Sequence, residues 1–266
     1  MQGLLEGKVA IVTGAGSGVG REAVLLFTAH GAKVIAADID AARVEETVAL
    51  AKAKGGTARA EVCNVADAEA VNRVVQAAVT AFGRLDVMYN NAGVTASTQA
   101  GKGIRTLVET GPEDIARMQD INVNGVIFGC QAAIRQFEAQ GGGGVIVNTA
   151  SVAGLIGYGS VVYGASKGAV AILTRGLALE LAAKGIRVNS VCPSGMLTHF
   201  AGMDPEGPMA ERIRAGMDAA APTGRRVTAE DCAKAALFLA SDLSSSITGV
   251  NLPVDAGLSA GVPMRR

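Results

Sequence analysis

Two patterns of apolar and polar residues alternate along this chain. Short, nearly continuous apolar runs at residues 8–13 (KVAIVT), 33–38 (KVIAAD), 57–62, 85–90, 145–150, 186–192 and 249–254 read as strands buried on both faces. Between them, at 21–30, 41–54, 67–82, 112–140, 161–184 and 228–241, apolar residues recur at intervals of three and four, which predicts helices. Punctuation agrees: Gly31 and Gly55 end the first two helices, Asp67 is placed to cap the third, and Thr228 with Glu230 and Asp231 opens the last. Strand and helix in strict alternation predict an α/β protein, a doubly wound parallel sheet with helices on both faces. In such sheets ligands bind beyond the C-terminal ends of the strands.

Two stretches break the pattern. Residues 94–111 are polar and too long for a simple connection. Residues 194–226 carry Pro205, Pro208, Pro222 and four methionines, and are expected to close over the sheet edge as a substrate lid. No compositional break divides the chain, so residues 1–266 are expected to form a single domain. With 24 basic and 24 acidic residues, it lacks the electrostatic footprint of a nucleic-acid or anionic-membrane binder. Cys63, Cys130, Cys192 and Cys232 form no CxxC pair, and His30 and His199 lie far apart. No metal site is expected, and the thiols fit a cytoplasmic protein with buried, reduced cysteines. No apolar run reaches the ~18–20 residues of a membrane span, and the first residues do not form a secretory leader.

The strand ends carry the chemistry. The first strand enters TGAGSGVG, residues 13–20. Strand, glycine turn and helix together hold a dinucleotide pyrophosphate on a helix N-terminus, with Gly14, Ser17, Gly18, Val19 and Gly20 as the cradle. Asp38 ends the second strand, followed by Ile39. Its carboxylate is placed to accept from an adenosine ribose diol and to repel a 2′-phosphate, which points to NAD over NADP; a second reading makes it a helix cap, a role open equally to Asp40. Asn64 and Val65 follow the third strand, and Asn91, Ala92 and Gly93 the fourth. Ser151 ends the fifth strand, with Tyr163 twelve residues on and Lys167 four further. On a helix Tyr163 and Lys167 share a face. Bringing a phenol from ~10 toward neutrality takes about 3–4 kcal/mol, and an ammonium ~4 Å away supplies about 4 kcal/mol at an effective dielectric of ~20. Lys167 is therefore expected to lower the pKa of Tyr163.

TGAGSGVG, NNAG at 90–93, Asn122, Ser151, YGASK at 163–167 and CPSGMLT at 192–198 occur in this order. In this the chain resembles the short-chain dehydrogenases/reductases from about residue 7 to 260. The resemblance implies a Rossmann-type sheet of seven parallel strands, hydride transfer between a nicotinamide cofactor and an alcohol or carbonyl, and a homotetramer built on helices near 112–140 and 161–184. It implies Tyr163 as general acid/base, Lys167 on the phenol and the nicotinamide ribose, Ser151 on the substrate oxygen and Asn122 as holder of a relay water. Pro193, Met196 and Thr198 would hold the nicotinamide. Three departures stand out: a Ser151–Tyr163 interval one residue short, Asn64 where the family has Asp, and Ser194 inserted between Pro193 and Gly195. The expected reaction is NAD-dependent interconversion of a secondary alcohol and a ketone. The expected pocket walls, 94–107, 152–158 and 194–217, offer Leu155, Ile156, Tyr158, Met196, Met203 and Met209, which suit an apolar or cyclic substrate. Two rival readings are a non-catalytic NAD-binding sensor on the same fold, which has no need of the Asn–Ser–Tyr–Lys set, and an epimerase or dehydratase with tightly held NAD.

Overall fold

The computed structural model describes residues 3–96, 105–198, 200 and 204–261. Seven parallel strands form one sheet in the order β3-β2-β1-β4-β5-β6-β7. They are β1 (Val9–Thr13), β2 (Lys33–Asp38), β3 (Thr57–Val62), β4 (Val87–Asn90), β5 (Gly144–Thr149), β6 (Ile186–Pro193) and β7 (Asn251–Val254). The helices are α1 (Gly18–Ala29), α2 (Ala41–Ala53), α3 (Ala68–Phe82), α4 (Pro112–Gln119), α5 (Gly125–Gln140), α6 (Val161–Leu181), α7 (Ala210–Ala220) and α8 (Ala229–Ala240). Strand order reverses between β1 and β4, where Ala10 pairs with Val87, and a ligand crevice opens at such a switch point.

Side-chain alternation along each strand builds two cores. Val9 and Ile11 of β1 join a cluster with residues of α3, α5 and α6. Ala10 and Val12 join a second with α1, α2 and α8. Fully buried residues such as Ile11, Phe27 and Leu181 each contribute about 1.5–3 kcal/mol of hydrophobic stabilisation. All four cysteines are buried within these layers. None of the helices in the described residues is long and apolar enough to cross a membrane.

The expected elements are present, with three instructive shifts. α1 begins inside the glycine loop, at Gly18. β4 starts two residues later than its apolar run. Gln140 takes both backbone groups of Leu85, its Oε1 accepting the N–H at 3.0 Å and its amide donating to the carbonyl, while Asp86 still pairs through its backbone with Val9 and Val145 and its carboxylate accepts the Val9 N–H at 2.9 Å. The helix expected over 112–140 is interrupted by a π-turn, Asp120–Asn124, closed by the Gly125 N–H on the Asp120 carbonyl. The extra residue turns Asn122 inward; such turns are frequent at functional sites. In the expected lid stretch, α7 is the regular element.

Just after β7, Ala256 has φ 56°, the one non-glycine residue in the described residues with positive φ. The left-handed region costs an L-residue about 1–2 kcal/mol. Ala256→Gly is expected to stabilise the protein by about 1 kcal/mol, raising the melting temperature by roughly 2–4 °C. Thermal unfolding of the two proteins checks it, and a lower melting temperature for the variant would contradict the strain.

Candidate active site

The glycine loop is held from three sides. The Thr13 hydroxyl accepts the backbone N–H groups of Asn91 at 3.0 Å and Ala92 at 3.1 Å. The Asn91 amide donates back to the Thr13 carbonyl at 3.0 Å. Glycine is obligatory here: a Cβ on Gly14 would stand 2.8 Å from Ala92 Cα, and one on Gly20 would overlap the Gly14 carbonyl oxygen at 2.0 Å. On the far side Arg21 donates to the Gly16 carbonyl at 2.8 Å, and the Thr47 hydroxyl to that of Ala15 at 2.9 Å. Sequence reading missed Arg21 and Thr47, whose only signal was position within α1 and α2. Ser17 precedes α1 in extended conformation without capping it, and no acidic residue occupies the first turn. The first N–H groups of α1 thus have neither a side-chain cap nor a carboxylate competing for them, which suits a phosphate. Val19 packs onto the core behind the loop.

Asp38 lies beside this loop. Its carboxylate accepts the Gly16 N–H at 2.8 Å and the Asp40 N–H at 3.0 Å. Asp40, through its bond from the Arg43 N–H at 3.1 Å, is the residue that caps α2, so the cap reading of Asp38 does not hold. Ile39 is exposed beside it. Asn64 is also exposed, with its amide oxygen accepting the Ala66 N–H at 3.1 Å. Val65 is buried, crowding the face of Gly125.

The other end of the crevice gathers the remaining residues. Lys167, 1% exposed, donates from Nζ to the Thr149 carbonyl at 2.7 Å and lies 5.9 Å from the Tyr163 ring centre. It has no ion pair in the described residues. Asn122, fully buried, accepts the Val94 N–H at 2.8 Å and donates to the Val94 carbonyl at 2.9 Å and to Ser166 Oγ at 3.0 Å. Ser166 in turn donates to the Tyr163 carbonyl at 2.7 Å. The Ser151 hydroxyl donates to the Pro193 carbonyl at 3.3 Å and accepts the Ala153 N–H at 3.2 Å. A Cβ on Gly93 would lie 3.2 Å from Asn122 Oδ1 and 3.3 Å from Lys167 Nζ, so these groups converge on one point. Met196 is touched by the Cys232 thiol at 3.7 Å. Thr198 approaches the open face of Gly18, 3.6 Å from where its Cβ would be. The Tyr158 hydroxyl lies 3.3 Å from the Cβ position of Gly195, and among the described residues the buried Ser160 hydroxyl has no hydrogen-bond partner. Residues 97–104 and Met203 of the expected pocket walls lie outside the described residues, as does His199.

The electrostatics correct one expectation. Burial pushes the Tyr163 phenol up to about 12, and its hydrogen bond with Ser151 offsets only part of this. Burial likewise lowers the Lys167 ammonium to about 8. Attraction between the two groups can be reckoned from their spacing, but the cost of removing each charge from water is here the larger effect. Burial holds the neighbouring Cys192 thiol up at about 11, so it is neutral at physiological pH.

A Gly-rich turn on a helix N-terminus at the switch point, with a Tyr–Lys pair and a serine at the other end of the crevice, defines a Rossmann-type dinucleotide site beside a proton-transfer site. A family model described as enoyl-(acyl carrier protein) reductase matches residues 14–259. The meso-2,3-butanediol dehydrogenase of Serratia marcescens is 38% identical over 96% of this chain and 96% of its own length. The cyclohexanol dehydrogenase of an Acinetobacter species is 36% identical over 98% of each. A crystal structure of a short-chain type dehydrogenase/reductase from Mycobacterium marinum superposes with a TM-score of 0.86 at 32% identity, covering 97% of both chains. The chain belongs to the short-chain dehydrogenase/reductase family. It is an oxidoreductase whose cofactor is a nicotinamide dinucleotide, and the side-chain-free cradle at Gly14 and Gly20 with the uncapped start of α1 fits that group.

Burying Lys167 has a measurable cost. The change from 10.5 to about 8 corresponds to about 3 kcal/mol, against about 1–3 kcal/mol for leaving the Thr149 carbonyl without its donor. Lys167→Met is expected to be about 1 kcal/mol more stable than wild type at pH 7 and to lose turnover. The cost is present in full below pH 8 and disappears as pH rises toward 10.5, because the folded protein releases the proton before the unfolded chain does. The stability gap should therefore close across that window. Denaturant unfolding at pH 7 and 10 checks this, and a gap that widens with pH would refute it.

Proposed function

We propose that this protein is an NAD-dependent dehydrogenase that interconverts a secondary alcohol and its ketone, with an apolar or cyclic substrate. The observation that carries the reading is the convergence of Tyr163, Ser151 and Lys167 on the crevice whose other end holds the glycine loop and Asp38. When bound, the nicotinamide supplies the acceptor or donor of the hydride. Ser151 and the Tyr163 hydroxyl position the substrate oxygen. In the reducing direction the phenol of Tyr163 gives its proton to the carbonyl oxygen as that oxygen gains negative charge; in the oxidising direction its phenolate takes the hydroxyl proton. Lys167 supplies positive charge beneath the ring and donors for the nicotinamide ribose. Asn122 holds the relay water through the part of Oδ1 not used by Val94, on the side facing Gly93 and Lys167.

NAD over NADP is supported by Asp38, whose negative charge stands at the loop edge where a 2′-phosphate would come. An apolar substrate is supported by Leu155, Ile156, Tyr158 and Met209, all solvent-exposed in two of the three expected pocket walls. The names of the relatives, one acting on cyclohexanol and one on 2,3-butanediol, fit a small or cyclic secondary alcohol. A homotetramer in the cytoplasm completes the reading; Ile172 and Leu179, on the exposed side of α6, offer apolar surface for a second copy.

Reduction of NAD and NADP with a panel of cyclic and acyclic secondary alcohols tests this. Turnover is expected with NAD and is expected to fall by at least ~10²-fold in Tyr163→Phe, the range of general acid–base catalysis. A preference for NADP would overturn the role of Asp38, and full activity of the Phe variant the role of Tyr163. Because Tyr163 stays protonated well above neutrality, kcat/KM for oxidation should climb by up to ~10-fold per pH unit from pH 6 to 9, while reduction should not. A pH-independent oxidation rate would show that proton release to Tyr163 is not on the path.

A further inference from the structure

Phe200 has no part in the reaction just described, yet its ring lies on the groups that carry it. Its centre is 5.8 Å from that of Tyr163, edge-on at 63°. Its Cε2 lies 3.7 Å from the Cβ position of Gly93, the point on which Lys167 Nζ and Asn122 Oδ1 converge. The Phe200 N–H donates to the hydroxyl of Thr198 at 3.4 Å, and Thr198 faces Gly18 of the phosphate loop. Phe200 thus stands between the two halves of the crevice, at the end where Lys167 would hold the nicotinamide ribose. Phe200 is 44% exposed and meets Tyr163 through an aromatic edge contact, so rotation about its side-chain bonds would take the ring into solvent.

We propose that the Phe200 ring is a plug in the nicotinamide end of the cofactor crevice, which dinucleotide binding displaces. This rests on the dinucleotide reading above and adds a regulated step to it. The adenosine half meets Asp38 and the glycine loop, which Phe200 does not touch. The nicotinamide half enters only when the ring is out, so the apparent affinity is reduced by the fraction of molecules in which it is in. The loss equals one edge-on aromatic contact, about three- to tenfold in dissociation constant.

Isothermal titration of the ligand-free protein with NAD, NADP and ADP separates the possibilities, because ADP carries only the adenosine half. Phe200→Ala is expected to bind NAD about three- to tenfold more tightly than wild type, with ADP affinity unchanged, and Phe200→Leu to fall between. Thermal melts of both variants check that they are folded. Unchanged or weaker NAD binding in a folded Ala variant would overturn the proposal, since the ring would then be a wall of the loaded site. An equal gain for ADP would also overturn it, by placing the effect outside the nicotinamide end. Wild-type protein that binds ADP but neither dinucleotide, while Phe200→Ala binds NAD, would support the plug in its strongest form. Failure of all variants to bind any of the three would sink the dinucleotide reading and the plug with it.

Discussion

A single buried ammonium sets the terms for the rest of the site. Lys167 is charged at neutral pH in a place where water reaches almost none of it, and burying an ion costs several kcal/mol unless the protein supplies partners. The partner supplied is the carbonyl of Thr149, the last residue of β5. That bond requires α6 to pack with its Lys167 face directly over the strand end, and the same register brings Tyr163 to the crevice one turn earlier. Ser166, next to Lys167, ties α6 to Asn122 on the π-turn. The inward turn of Asn122 in turn fixes the backbone at Val94. The catalytic geometry follows from the need to place one charge.

The same burial explains why the phenol and the ammonium move in opposite directions. Each is a group whose charged form is disfavoured by the dry surroundings, so the acid becomes weaker and the base becomes weaker. The free protein therefore presents Tyr163 as a proton donor at neutral pH. This state suits carbonyl reduction directly, whereas oxidation must first remove a proton. The local pair is tuned by its environment as much as by its two members.

Much of this was legible in the sequence, and the parts that were not share a cause. Strands, helices and their order followed from apolar periodicity, and Gly14, Gly20, Asp38, Asn91, Ser151 and Tyr163 could be singled out as candidates because they stand at or near strand or helix ends, beyond which ligands bind in such sheets. The choice of Asp40 over Asp38 as the α2 cap could not be read, since both carboxylates have the right chemistry and only backbone direction separates them. The π-turn was hidden because one added residue leaves the apolar pattern of 112–140 nearly intact. The sign of the Tyr163 change was misjudged because Coulomb attraction can be reckoned from spacing, whereas desolvation depends on how much else of the chain closes over the pair. Arg21, Thr47 and Phe200 act through contacts made only after folding.

Thr149 shows how the two halves of the site are joined. Its carbonyl holds Lys167, and its hydroxyl donates to Asn91 Oδ1 at 3.2 Å and lies within hydrogen-bond distance of the Tyr89 hydroxyl, 3.1 Å away. Asn91 in turn holds the carbonyl of Thr13, where the glycine loop begins. A continuous chain of hydrogen bonds therefore runs from Lys167 through the ends of β5, β4 and β1 to the glycine loop. The Tyr89 ring that anchors it is fully buried against Phe27, and burial pushes its phenol far above the ordinary range, so it stays a neutral hydrogen-bonding group throughout the working pH range. Thr149, Tyr89 and Thr13 lie at or near the ends of central strands and Asn91 directly follows β4, where the sheet's own ladder sets the spacing between neighbours. The distance between cofactor cradle and proton-transfer pair is thus a property of the sheet, which leaves the connections above it free to vary with the substrate.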